Sequence, residues 1–213
     1  MSMAQFVPDA WDASGCPAWI SALATEDPNH LVHVVRDLEP PAALELLGAE
    51  RDSIAPCELP VATADERTSL LRAAISPADP SAVLLAGRIG EWTFVYDDLG
   101  LTLGLWDGAK PLDAAAVLSA QGKAAATGYS AITGHAGLLY AVDGELVVNQ
   151  ELFDPAELDG DSPAEVRTAV ELAGAFETRF DDYLGMRAVC VLAGLPRTLD
   201  DLRKVALLIA PLD

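Results

Sequence analysis

The chain has 213 residues, of which 51% are hydrophobic and 22% charged, a balance that supports a sizeable core and is too apolar for a disordered chain. Its 33 acidic residues against 13 basic ones give a formal net charge of −20, spread along the chain, which opposes binding to nucleic acid or anionic membrane and favours a basic partner. No apolar run approaches the roughly 20 residues that span a bilayer, and no basic segment followed by an apolar one opens the chain, so a cytoplasmic protein is expected.

Residues 1–15 read as an irregular arm and residues 16–213 as a single α+β domain. A short helix is expected in "CPAWISALA", and the β-branched run "HLVHVVRDL" reads as a strand. "PPAALELLGA" opens with prolines that suit a first helical turn and ends near Gly48, which suits a cap. Residues 49–61 read as loop, and "TADERTSLLRAAI" as a helix capped by Thr63 with Glu66 at capping-box spacing. The strand-like runs "SAVLLAGRI", "EWTFVYD", "LTLGLW", "ATGYSAITG", "AGLLYAV" and "ELVVNQ" follow, broken by a helix in "PLDAAAVLSAQ". Asp143-Gly144 lies between two apolar runs and predicts a hairpin over residues 137–150. The last third reads as helical, in "SPAEVRTAVELAGAF", "DDYLGMRAVCVLAGL" and "TLDDLRKVALLIA", the last with Thr198 and Asp201 at capping-box spacing. Together these predict an α+β fold with a mostly antiparallel sheet of about five or six strands packed against helices.

Within "EWTFVYD", Trp92, Phe94 and Tyr96 alternate and so share one face of a strand. That face either packs on the C-terminal helices or forms an aromatic patch edged by Glu91, Asp97 and Asp98, the form a hot spot for a basic partner would take. These six residues are the candidate binding site. Signals for chemistry are weak. His30 and His33 have H-x-x-H spacing, but on a strand they face opposite ways. Ser130 in "GYSAITGH" departs from G-x-S-x-G, and the acidic "FDPAELDGDSPAE" places Pro155 where a calcium loop needs Asp. No glycine-rich phosphate loop is present, and Cys16, Cys57 and Cys190 are too scattered for a zinc site or a disulfide framework. No catalytic residue, metal ligand or cofactor is assigned.

The runs "HLVHVVRDLEPPAALELLGA", "GEWTFVYDDLG" and "AVDGELVVNQELFDP" resemble an uncharacterised family of acidic actinobacterial proteins, in which a strand and an L-x-P-x-x-A-L-x-x-L-G helix precede a W-T-F strand. The resemblance covers residues 30–160, and the family has no activity to carry over. The alanine-rich, lysine-poor composition is similar to that of a high-GC bacterium.

The expected function is an acidic, non-enzymatic binding protein, an inhibitor or immunity-type protein that neutralises a basic protein partner. The alternative is an enzyme or small-molecule-binding protein whose pocket gathers scattered polar residues such as Asp97, Asp98 and His135. The sequence leaves the oligomeric state open.

Overall fold

The computed structural model describes residues 10–24, 29–63, 68–107, 110–174 and 181–212. In chain order the elements are α1 (Ala18–Leu23), β1 (His30–Arg36), α2 (Pro40–Leu46), β2 (Ala55–Cys57), α3 (Leu70–Ile75), β3 (Ala82–Ile89) and β4 (Trp92–Asp97). Then come β5 (Gly104–Asp107), β6 (Lys110–Asp113), α4 (Ala114–Ser119), β7 (Ala124–Ser130), β8 (Ala136–Val142) and β9 (Glu145–Glu151). The chain closes with α5 (Ala164–Ala173), α6 (Leu184–Ala193), α7 (Leu199–Leu202) and β10 (Leu207–Leu212).

One antiparallel sheet of eight strands, in the order β2-β10-β3-β4-β1-β7-β8-β9, organises the fold, and β5 and β6 form a separate two-stranded ribbon. Helices cover both faces of the sheet. On one face, side chains of α1, α3, α5, α6 and α7 join Val32, Val34, Phe94, Tyr96 and Tyr140 in the larger core. On the other, α2 and α4 pack on Val35, Leu84, Ala86, Val95 and Ala125. Antiparallel sheets often leave one face wet and then alternate apolar with polar residues. Here β1, β3 and β4 are buried on both faces, which is why "AVLLAG" runs continuously apolar and "HLVHVV" shows no alternation, its two histidines being buried and hydrogen-bonded.

The α+β class and the antiparallel sheet agree with expectation; the strand number and the form of the C-terminus do not. β2 falls inside residues expected to be loop, and it is a strand only by pairing Ala55–Cys57 with Leu207–Ile209. "TLDDLRKVALLIA" divides after one helical turn. Thr198 Oγ1 accepts the Asp201 amide as its spacing predicts, and the apolar run beyond then forms β10, not more helix. Leu207 and Ile209 enter one core while Leu208, Ala210 and Leu212 pack against the other, and such a two-faced strand has no alternation to distinguish it from a buried helix. Pro211 is tolerated because β2 pairs only as far as Ile209, leaving the outer side of β10 free at that point. "LTLGLW" opens as a turn and becomes strand only at Gly104. The helix expected from Thr63 begins instead after Ser69, whose hydroxyl oxygen accepts the Arg72 amide at 3.0 Å; Glu66 lies outside the described residues.

The hairpin forms where Asp143-Gly144 places it. Both residues have positive φ, 51° and 82°, and Val142 faces Glu145 across the turn. The register then shifts: Ala141 faces Leu146 but Tyr140 faces Val148, so Val147 is an extra residue in β9. Above β7 and β8, α6 lies in near-contact with the sheet. A Cβ at Gly185 would stand 2.1 Å from the Gly137 carbonyl oxygen, and one at Gly128 would stand 2.6 Å from that of Gly185. Among the described residues no helix is long and apolar enough to cross a membrane.

Candidate functional site

The aromatic strand is core. Trp92, Phe94 and Tyr96 share a face, as alternation requires, and that face lies beneath the helices: Phe94 and Tyr96 are fully buried and Trp92 is 5% exposed. Trp19 of α1 meets Phe94 and Tyr96 edge-on, at ring separations of 6.0 and 5.6 Å. The Arg36 guanidinium sits 4.6 Å over the face of the Trp92 ring. An exposed patch of these three rings is thereby replaced by a packed interior, because both faces of the sheet carry helices.

Asp97 and Asp98 are buried structural carboxylates. Asp97 Oδ1 accepts the amides of Leu99 and Gly100 at 3.0 and 2.9 Å, and its Oδ2 accepts the amide and hydroxyl of Thr102 at 2.7 and 2.8 Å. Because the Thr102 hydroxyl donates to Asp97, its oxygen accepts from His33 Nε2 at 2.8 Å. His33 Nδ1 must then accept from the Thr127 hydroxyl at 2.8 Å. Complete burial pushes the His33 imidazole down to about 3, so the ring is neutral within this chain. Asp98 accepts the Val83 amide and pairs with Arg72 Nε, each at 2.7 Å, while burial lifts its carboxyl above the ordinary value. Of the six predicted binding residues only Glu91 is exposed, and it pairs with Arg36 at 3.1 Å.

The fold does not bring Asp97 and Asp98 together with His135. Asp97 lies two strands from β7, roughly 10 Å, with its oxygens fully engaged, while His135 is exposed on the β7–β8 turn against Glu151. His30 and His33 face opposite sides of β1: His30 Nδ1 lies 3.0 Å from the Tyr96 hydroxyl on the larger-core side. Ser130 is a buried strand residue opposite His30 and Ala136. The three cysteines are free and buried, and burial pushes the Cys16 and Cys190 thiols up to about 12 and Cys57 up to about 11.

Two clefts remain. One of about 820 Å³ lies beside β2 and β10, lined by prolines, Leu59, Leu207, Arg88 and Arg203. Its arginines are already engaged: Arg88 with Glu39, Arg203 with Asp200 and the Pro60 carbonyl. The other, about 520 Å³, is lined by Arg36, Lys123, Tyr140 and Glu165, with Asp37 and Gln121 in left-handed conformations at φ of 56° and 66°. There the Tyr140 hydroxyl donates to Glu165, and burial followed by that carboxylate holds the phenol protonated well above its ordinary range. Glu165 also binds Arg36 at 3.1 Å. In the first cleft both arginines are thus paired with carboxylates, and in the second Arg36, Tyr140 and Glu165 bind one another.

Most of the charge that the structure leaves uncompensated is acidic. Arg36, Arg51, Arg72, Arg88, Arg187, Arg203 and Lys204 all hold ion pairs with carboxylates, which removes most of the described positive charge from the surface. Between Lys123 and Arg167 the chain carries eight carboxylates and no lysine or arginine, and all eight are exposed. The fold gathers them at one end of the sheet, because this segment comprises β7, β8, the edge strand β9 and the loop leading to α5. In that loop Asp154 accepts the Ala156 amide and Glu157 accepts those of Phe153 and Asp154, a capping box that fixes the chain with its acidic groups outward. The acidity was visible in the sequence, but its place at a sheet edge depends on strand order. The chain matches no family model, and no curated protein or solved structure is significantly similar to it.

Proposed function

We propose that this protein is an acidic, non-enzymatic binding protein that neutralises a basic protein partner in the manner of an inhibitor or immunity protein. The observation that carries this reading is the segment from Ala124 to Val166: exposed carboxylates without a single lysine or arginine, collected around one edge of the sheet. Charge of this kind steers a basic partner into encounter and repels polyanions, and its effect on association weakens as salt screens it. The surface of contact moves from β4, where the aromatic side chains are interior, to β9 and the following loop. A biosensor experiment tests it, with a cationic protein, duplex DNA and anionic lipid vesicles as probes at low and high salt. The reading expects binding to the cationic protein alone, with an association rate that falls as salt rises. Binding to DNA or vesicles, or cationic binding indifferent to salt, would overturn it.

A further inference from the structure

We infer that β9 is a docking edge that receives an extended basic segment of the partner as an added strand; this rests on the reading above and deepens it. β9 is the last strand of the sheet, hydrogen-bonded to β8 alone among the described residues. Facing pairs in an antiparallel ladder alternate between bonded and non-bonded, and Leu152 N–H donates to the Ala136 carbonyl at 3.1 Å. Stepping back along the register, Gln150 and Val148 turn their amides toward β8, so the N–H and C=O groups of Asn149 and Glu151 point away from the sheet. Those outward groups are a template for another strand. The bulge leaves Val147 half-exposed on this edge, an apolar contact for whatever adds there.

Charge decides the occupant. Glu145, Asn149 and Glu151 are exposed along the edge, and Asp143 and Asp154 flank its two ends. A second copy of this chain would set Glu145 and Glu151 against their own kind, and like charges across a strand pair are unfavourable. A segment rich in lysine or arginine gains on both counts, because its backbone completes the ladder while its side chains meet carboxylates. The edge thus excludes self-association by the same groups that select a basic strand.

A Lys/Val/Thr peptide of about ten residues, an ordinary strand length, is the probe. It is compared with the same peptide N-methylated on alternate amides, which keeps every charge and removes the backbone donors. The inference expects the unmodified peptide to bind at least about tenfold more tightly, a difference of about 1.4 kcal/mol. Hydrogen exchange should show the Asn149 and Glu151 amides becoming protected on binding. The variant Asn149→Pro, which deletes an outward N–H at an edge position where proline is tolerated, should lose the preference for the unmodified peptide. Exchange on the native chain keeps the test valid if that variant does not fold. Equal, salt-dependent binding of both peptides would overturn strand addition and leave the charge-driven reading standing. No binding of either would overturn both. Protection of Asn149 and Glu151 without peptide, whether in a monomer or a dimer, would show the edge already occupied and overturn the inference.

Discussion

Replacing Asp97 separates a structural carboxylate from a binding one. Its two oxygens accept four donors, and two of these, the Thr102 amide and hydroxyl, belong to a residue only 2% exposed. A bond to a charged acceptor contributes about 1.5–3 kcal/mol, so Asp97→Ala forfeits about 3–6 kcal/mol at Thr102 alone. The Leu99 and Gly100 amides are half-buried, and water replaces their acceptor at smaller cost. Relaxation of the turn offsets part of this, giving an expected loss of about 3–6 kcal/mol against a total stability of about 5–15 kcal/mol for a typical domain. Asp97→Asn is milder. Its oxygen keeps the Leu99 and Gly100 bonds while its NH2 faces Thr102, whose hydroxyl can reverse and donate to His33 if that ring changes tautomer. The Thr102 amide is left opposed to a donor, at about 1–3 kcal/mol. Urea unfolding followed by tryptophan fluorescence measures both variants. A loss below about 1 kcal/mol for Asp97→Ala would refute the buried network. So would an Asp97→Asn variant as stable as the native chain, because the Thr102 amide would then have needed no acceptor.

Three further outcomes follow from the packing. His33 titrates near 3 in the fold but at its ordinary value of 6.5 in the unfolded chain, so its contribution is fully present above pH 6.5 and declines toward pH 3. The slope is about 1.4 kcal/mol per pH unit for one proton, and stability compared at neutral and mildly acid pH should fall more steeply in the native chain than in His33→Gln; parallel profiles would contradict the buried neutral ring. Gly185→Ala places a Cβ 2.1 Å from the Gly137 carbonyl oxygen and should cost about 1–3 kcal/mol or more in urea unfolding, by lifting α6 from β8; an unchanged midpoint would refute the contact. The three buried thiols should resist a thiol-labelling reagent until the chain unfolds, with no change in melting temperature on reduction; rapid native labelling would contradict their burial.

Much of the sheet was legible. β1, β3, β4, β7, β8 and β9 fall where β-branched and apolar runs predicted, and Asp143-Gly144 dictates its own turn because both positions need positive φ. β2 has no pattern of its own in Ala55-Pro56-Cys57, and it exists through a partner about 150 residues away in sequence. β10 carries no strand signature of its own, because a strand buried on both faces loses its period of two and resembles a buried helix. The fate of Trp92, Phe94 and Tyr96 was undecidable for a related reason: alternation puts three rings on one face, but α1 and α6 cover that face and come from distant sequence. Arg187 sits within an otherwise apolar helical run, yet in the fold it pairs with Asp181 and donates to the Gly15 and Gly174 carbonyls, partners that no spacing connects. The acidic edge combines both situations, since its charge is local and its exposure is set by which strand comes last.

On the function proposed above, the acidity acts at the β9 edge and is not a uniform property of the surface. The direct measurement compares association rates for one cationic protein across a salt series with two variants of equal net charge. In one, Glu145→Gln, Glu151→Gln and Asp161→Asn neutralise the β9 end; in the other, Asp52→Asn, Glu58→Gln and Asp79→Asn neutralise exposed groups around β2 and the loop before β3. Steering by a localised field predicts a slower rate and a shallower salt dependence for the first variant, with the second close to the native chain. Equal losses in the two would contradict steering from the β9 edge and make the acidity a matter of composition.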